Sequence, residues 1–207
     1  SVMPALHFSP VAPGMEFERV EGTLRVGPRP PVTRPSDLED VAFWSITDLA
    51  QLIESRQVRP SELTEMYIGR LRRYNSTLNC VVTLTESRAR ALAEQADAEI
   101  TEGRYRGPLH GIPVIVKDNY DTSDLPTTNG TLALKNSVPP DDAYQVRKLR
   151  EAGAIVLAKS NLAEFASSGA FTVSSVLPGY TRNPYDLRRV TAGSSGGTAA
   201  AVTANFG

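Results

Sequence analysis

The chain has 207 residues, of which 41% are hydrophobic and 22% are charged. This is the composition of a globular protein, and it excludes a disordered, a collagen-like and a coiled-coil chain. The 22 basic and 23 acidic residues give a formal net charge of −1, which excludes a protein drawn to nucleic acid or anionic lipid by its overall field.

The first 40 residues differ in composition and hydrophobic periodicity from the rest of the chain. Residues 1–40 are rich in proline and show little hydrophobic periodicity, so we predict an extended amino-terminal arm. From residue 41 to residue 207 the chain shows the periodic patterns of a folded domain, which begins with helices.

Three helices are predicted between residues 45 and 103. Ser45 is the expected cap of the first helix, and Pro60 opens the second, because both residue types favour helix starts. A short strand-like stretch follows at 81–84. Thr85 is the expected cap of the third helix, which Gly103 ends.

Basic residues cluster on the second and third of these helices. The cluster consists of Arg70, Arg72, Arg73, Arg88 and Arg90. Charge runs of this kind are typical of the solvated face of an amphipathic helix, so we predict no direct nucleic-acid partner.

The next segments have the pattern of a buried parallel sheet. Residues 112–116 and 154–158 are apolar runs of strand length, and Pro113 suits the first position of its strand. Between them, Asp142 is the expected cap of a helix that Gly153 ends. Two apolar strands joined by a helix indicate a right-handed crossover, and the fold class is therefore α/β.

Lys117 is the first candidate for catalysis, because it follows the apolar strand at its carboxyl end, where open α/β sheets place their sites. Burial there lowers the pKa of a lysine, and a neutral amine can act as a general base. Lys159 ends the second strand in the same way and is the rival candidate. A surface cap is the alternative interpretation for either residue.

The second candidate is the Gly-Ser-Ser-Gly-Gly stretch at 193–197, which leads into an alanine-rich helical segment at 198–204. Taken alone, such a stretch is typical of a flexible linker. Its place before a helix also suits a phosphate cradle or hydroxyl chemistry at Ser194 and Ser195. Neither His7 nor His110 lies in a pattern that suits a Ser-His-Asp triad, so a serine here would need another base, such as a lysine.

The residue counts also bear on whether the chain holds a metal, binds a cofactor or spans a membrane. Cys80 is the only cysteine, and no His and Glu spacing suits a metal, so we expect no metal and no cofactor. No apolar run approaches the ~18 residues that a membrane span needs, and we expect no membrane partner. The sequence does not identify the cellular compartment, although it favours the cytoplasm. It also leaves open whether the protein forms a homo-oligomer.

Five segments together resemble the amidase signature family in their order and spacing. The resemblance covers roughly residues 45–207, and its segments are 107–119, 126–128, 150–165, 181–186 and 193–197. It implies an α/β amidase signature fold, in which helices cover both faces of a mixed β-sheet. It also implies a small-molecule amide as substrate and a Ser–cis-Ser–Lys triad as catalyst.

The resemblance assigns roles to individual residues. Lys117 matches the catalytic lysine, and Ser194 matches the bridging serine, whose peptide bond to Gly193 is then cis. Ser195 is expected to support this pair from outside the triad, and Lys159 is expected to be structural. Ser167, Ser168 and Gly169 are the expected substrate-pocket residues.

The family's nucleophilic serine lies about two dozen residues beyond the bridging serine. We therefore expect the nucleophile and the oxyanion-hole amides beyond Gly207, either in a missing carboxy-terminal part of the same enzyme or on another chain. The first option is favoured. On this interpretation residues 41–207 are the amino-terminal part of the catalytic domain, and these 207 residues alone are inactive.

Three functions are left open. The first is a free-standing amidase that hydrolyses a carboxamide through an acyl-enzyme, which the proline-rich arm favours. The second is the amidase subunit of a glutamine-dependent tRNA amidotransferase, and the third is a non-catalytic fragment or binding module.

Overall fold

The computed structural model describes residues 14, 15, 27, 30–167, 174, 175 and 177–207. The chain divides into two units, Ser1–Pro30 and Pro31–Gly207. Val32 and Leu38, which lie within the predicted arm, pack against the core of the larger unit. The boundary of the arm at residue 40 stays a prediction.

The larger unit contains the predicted helices and strands in the predicted order, and it adds four short strands before the last helix that were not predicted. Its α-helices are α1 (Ile46–Glu54), α2 (Pro60–Leu78), α3 (Glu86–Thr101), α4 (Tyr144–Glu151) and α5 (Gly196–Thr203). Its strands are β1 (Val81–Leu84), β2 (Pro113–Lys117), β3 (Ile155–Ser160), β4 (Ser174–Ser175), β5 (Gly179–Tyr180), β6 (Arg182–Asn183) and β7 (Asp186–Val190). Short 3₁₀ turns are present at Leu38–Phe43, Leu132–Leu134 and Glu164–Ala166.

A mixed three-stranded sheet in the order β1-β3-β2 forms the centre of this unit. The predicted parallel pairing of β2 and β3 is confirmed, whereas β1 pairs antiparallel with β3. Lys117 pairs with Ser160 in the parallel ladder, so the two strands end at the same edge. Pro113 is the first residue of β2, as predicted.

Helices cover both faces of the sheet, which confirms the predicted architecture. Val116 and Val156 pack with Val146 of α4 on one face. Ile155 and Leu157 belong to the main core, to which α1, α2, α3 and α5 also contribute. Successive residues of a strand point to opposite faces, so the side chain of Lys117 lies on the face opposite that of Val116.

Of the three predicted helix caps, Ser45 is confirmed, Thr85 occupies the N-cap position without a side-chain capping bond, and Asp142 is wrong because Ala143 is the N-cap of α4. Ser45 caps α1, because its hydroxyl accepts a hydrogen bond from the amide of Asp48. The hydroxyl of Thr85 instead lies within hydrogen-bond distance of carbonyl oxygens of β3. The carboxylate of Asp142 accepts hydrogen bonds from Ser123 and Arg150, so it does not cap α4.

The arginine cluster is paired with acidic side chains, and one member is not on a solvated face. Arg70 is 7% exposed, contacts Glu39, and donates to the carbonyl oxygens of Ala204 and Asn205 at the end of α5. Arg70 therefore corrects the prediction of a fully solvated arginine face. Its contacts hold the carboxyl end of α5 against α2.

His110 is buried in the turn that precedes β2. Its Nδ1 accepts a hydrogen bond from the Arg106 amide at 3.1 Å, so the proton of the neutral ring is on Nε2. Nε2 lies 3.2 Å from a carboxylate oxygen of Glu99. Burial is the main cause that lowers the pKa of His110.

This lowered pKa predicts a loss of stability in mild acid. The unfolded chain binds a proton at the ordinary histidine pKa, and the folded state binds it at a lower pH. The contribution of neutral His110 to the free energy of unfolding is therefore complete above the ordinary histidine pKa. It is lost as the pH falls from that value to the lowered pKa of the folded state. We expect His110→Gln, which has no titratable group, to reduce the pH dependence of the unfolding free energy in this range. An identical pH dependence in both proteins would contradict this.

Candidate active site

Lys117, Ser194 and Ser195 meet at the edge where β2 and β3 end. The Nζ atom of Lys117 lies 2.8 Å from the Oγ atom of Ser194 and 2.9 Å from the Oγ atom of Ser195. Lys117 and Ser194 are both partly buried, and Ser195 is exposed. The structure thus brings together the three polar residues that the sequence placed at the centre of the site.

The position of Lys117 makes its amine a weaker base than an exposed lysine. Its side chain leaves the last residue of β2, whose backbone is fixed by the parallel ladder with β3. Burial lowers the pKa of Lys117. Because burial disfavours the charged form, a larger fraction of the amine is neutral at a given pH than in an exposed lysine.

The Ser194 backbone is fixed by the segment that follows β3. The peptide bond between Gly193 and Ser194 is cis, which confirms the geometry that the resemblance implied. The carbonyl oxygen of Ser194 accepts a hydrogen bond from the Ala163 amide at 3.0 Å. One strand end therefore carries Lys117, and the chain after the neighbouring strand holds the serine that Lys117 contacts.

The first turn of α5 is also attached to this segment. The Gly197 amide donates to the carbonyl oxygen of Asn161 at 3.1 Å, and the hydroxyls of Ser160 and Thr198 share a hydrogen bond of 2.6 Å. Asn161 is fully buried, and its side-chain amide donates to the hydroxyl of Thr181 at 2.9 Å. Sequence reasoning included Asn161 in a matching segment but gave it no role.

Gly197 allows this close approach because it has no side chain. A Cβ atom at this position would lie 2.2 Å from the carbonyl oxygen of Asn161 and 2.5 Å from its amide nitrogen. Both atoms belong to backbone, which cannot rotate away. The glycine is therefore required for α5 to begin beside β3, and so for the placement of Ser194.

We expect Gly197→Ala to lower the free energy of unfolding by about 2 kcal/mol or more, because the added methyl group forces α5 away from the segment after β3. Gly69→Ala in α2 is the matched control. A Cβ atom at Gly69 meets no atom within 4 Å. That substitution should stabilise the protein by about 1 kcal/mol through helix propensity. Chemical denaturation of both variants measures the difference, and equal effects would contradict the close-approach argument.

Lys159 does not reach the serines and lies fully buried below the segment that follows Lys117. Its Nζ atom contacts the carbonyl oxygen of Tyr120 at 2.9 Å and the carboxylate of Asp118 at 3.3 Å. These contacts support the structural role that the resemblance implied.

The predicted pocket residues are only partly covered by the described structure. Ser167 is exposed and follows the 3₁₀ turn Glu164–Ala166, whereas Ser168 and Gly169 lie outside the described residues. A cleft that the sequence analysis missed opens beside Lys117 and Ser195, and Asn119 and Tyr120 form part of its wall. Both lie within three residues of Lys117, so a search of the residues after the strand could have found them.

Among the residues that the structure describes, no group of three or more His, Cys, Asp or Glu side chains could hold a metal ion. In the same part of the chain, no helix has the length and apolar character that crossing a bilayer requires.

Comparison with known proteins gives consistent matches. A family model described as Amidase matches residues 62–207. The chain is 42% identical over 161 residues to the glutamyl-tRNA(Gln) amidotransferase A subunit of Thermoanaerobacter pseudethanolicus, in a match that covers 78% of this chain and 32% of that protein. It is 38% identical to the protein of the same name from Acidothermus cellulolyticus, with 81% of this chain and 33% of the relative covered. The chain thus spans about a third of the length of these curated relatives.

Solved structures give the same result. The native peptide amidase from Stenotrophomonas maltophilia superposes with a TM-score of 0.77 at 38% identity, over 81% of this chain and 35% of that one. A bacterial aryl acylamidase of the amidase signature family superposes with a TM-score of 0.75 at 29% identity, over 81% and 34% of the two chains.

Proposed function

Since the chain belongs to the amidase family, we propose that the protein of which it is part hydrolyses the C–N bond of a carboxamide through a Ser–cis-Ser–Lys relay. The observation that supports this most strongly is the 2.8 Å contact between Lys117 Nζ and Ser194 Oγ. A partly buried amine beside a hydroxyl has the geometry of a general base and the group that it deprotonates.

In this mechanism, the neutral amine of Lys117 takes the proton of the Ser194 hydroxyl. Ser194 in turn takes the proton of a nucleophilic serine, whose oxygen attacks the amide carbonyl. The proton then returns through Ser194 to the leaving nitrogen, the C–N bond breaks, and an acyl-enzyme ester remains. Water attacks the ester by the same relay, which releases the carboxylic acid and restores the serine.

Lysine is required at position 117 because an arginine does not give up its proton in proteins. Ser195 also contacts the amine, and we assign it the task of orienting Lys117 rather than passing the proton. We propose that the nucleophile and the oxyanion-hole amides lie beyond residue 207 in the complete enzyme. The matched residues make up only about a third of each of these relatives, which supports that assignment.

A second candidate function has its own support, since the curated relatives named above are glutamyl-tRNA(Gln) amidotransferase A subunits. In that case the same relay would release ammonia from glutamine, which a partner protein would then use. The chemistry at Lys117 and Ser194 is unchanged, and only the substrate and the destination of the ammonia differ.

Ammonia release by the complete enzyme tests the proposal and separates the two candidates. A free-standing amidase should release ammonia from simple primary amides without any partner. An amidotransferase component should act on glutamine only with its partner subunits present. The complete enzyme should also react with a serine-directed fluorophosphonate. No ammonia from either substrate class, together with no labelling, would overturn the proposed function.

A further inference from the structure

The buried ammonium group of Lys159 is surrounded by oxygen atoms from one short stretch of chain. Its Nζ atom lies within 3.3 Å of five oxygens. They are the carbonyl oxygens of Tyr120 and Pro126, the hydroxyls of Thr122 and Thr127, and a carboxylate oxygen of Asp118. We call residues 118–127 the cation loop.

The five oxygen atoms around Lys159 Nζ are of the kinds that bind cations in proteins. Two carbonyl oxygens, two hydroxyls and one carboxylate would suit a bound monovalent cation, and here the side chain of Lys159 supplies the charge. Both Lys159 and Asp118 are fully buried, so neither side chain is hydrated. A buried charge that loses its partner is strongly destabilising, and the loop oxygens therefore depend on the ammonium group.

The cation loop is joined directly to the candidate active site. It begins at the residue after Lys117, and the amide of Tyr120 donates to the carbonyl oxygen of Lys117 at 2.9 Å. The amide of Asp118 donates to the carbonyl oxygen of Ser160 at 3.1 Å. Asn119 and Tyr120 of the loop also line the cleft beside Lys117.

Lys159 acts on this site only through the loop. In the parallel ladder Lys159 pairs with Val116, and Ser160 pairs with Lys117. Because neighbouring residues of a strand point to opposite faces, the side chain of Lys159 lies on the face away from the serines. It cannot touch the reacting atoms.

We propose that Lys159 is a positioning residue for this reaction. Its ammonium group serves as a built-in cation that gathers the cation loop, and the gathered loop keeps Lys117 directed at Ser194 and shapes the neighbouring cleft. This inference rests on the proposed function for its catalytic consequence, whereas the cation site itself does not.

The test uses the complete enzyme with Lys159→Ala, which deletes an aminopropyl group, and n-propylammonium as the probe that replaces it. We expect kcat/KM to fall about 10²-fold, mainly in kcat, because a small displacement of a catalytic group has an effect of that size. Saturating n-propylammonium should raise the kcat/KM of the variant at least about tenfold. It should also raise the melting temperature of the variant more than that of the wild type, since it binds the folded state.

Two additives and two proteins serve as controls. Propanol has the size of the probe without its charge, and tetramethylammonium has the charge without N–H donors, so neither should rescue. The wild type and Lys148→Ala receive the same amine, which corrects for attack of the amine on an acyl-enzyme. Lys148 is an exposed lysine of α4 that pairs with Glu151.

Each outcome bears on the proposal. A variant that folds only with n-propylammonium supports it, and one that stays unfolded at saturating amine overturns it. Retention of most activity, or equal rescue by propanol, also overturns it. If the wild type releases no ammonia from simple amides or, with partner subunits, from glutamine, and is not labelled by the fluorophosphonate, the proposed function fails. The amine-dependent melting temperature then still decides whether the cation site exists.

Discussion

Replacement of Lys117 with alanine in the complete enzyme should lower kcat/KM by about 10⁴-fold or more, because members of a catalytic relay act as a unit. Without the amine, no group in contact with Ser194 among the described residues can accept its proton. The side chain makes no ion pair in this part of the structure, so the loss should be catalytic and the melting temperature should change little. Steady-state kinetics and thermal denaturation of the same samples measure the two effects.

Lys117→Arg is the informative companion of this variant. It keeps a positive charge and hydrogen-bond donors, but its guanidinium group does not deprotonate. We expect it to be as inactive as Lys117→Ala. If the arginine variant retains a substantial part of the activity, the lysine acts as a fixed positive charge and the relay mechanism is wrong.

Ser194→Ala should lower kcat by about 10³-fold or more while the fold is retained, because the hydroxyl that we propose to link Lys117 to the nucleophile is lost. The double variant with Lys117→Ala should be little worse than either single variant, since both remove the same proton path. Ser195→Ala is the matched control. It deletes an equivalent hydroxyl at 2.9 Å from the same amine, and Lys117 keeps its contact with Ser194.

We expect Ser195→Ala to cost about tenfold, through a less well oriented amine. Equal losses for the two serine variants would show that the proton path is not assigned to the correct hydroxyl. Additive losses in the double variant would show that Lys117 and Ser194 act in separate steps.

The sheet and its crossover could be predicted because their signals are local. The apolar runs at 112–116 and 154–158 identify two buried strands, and the helix between them fixes a parallel arrangement. The same pattern places Lys117 at a strand end. The pairing of Lys117 with Ser194 could be predicted only from the resemblance, since 76 residues separate them in the chain, from 118 to 193.

The sequence did not predict which distant group each polar side chain contacts. Thr85 and Asp142 both lie near helix starts. The hydroxyl of Thr85 nevertheless donates to carbonyl oxygens of β3. The carboxylate of Asp142 accepts from Ser123 and Arg150. Local propensity describes the helix start, and tertiary packing then decides the hydrogen bond. The cation loop has no strong local signal either, because its oxygens converge only once β3 carries Lys159 beneath it.

The protonation equilibrium of the Lys117 amine in the complete enzyme tests the relay mechanism most directly. Nitrogen-15 NMR of labelled lysine side chains can follow Nζ with pH, and the Lys117→Arg variant assigns the signal. We predict a pKa below that of an exposed lysine, because burial disfavours the charged amine. A pKa at or above the value of an exposed lysine would contradict the claim that a neutral Lys117 is the base.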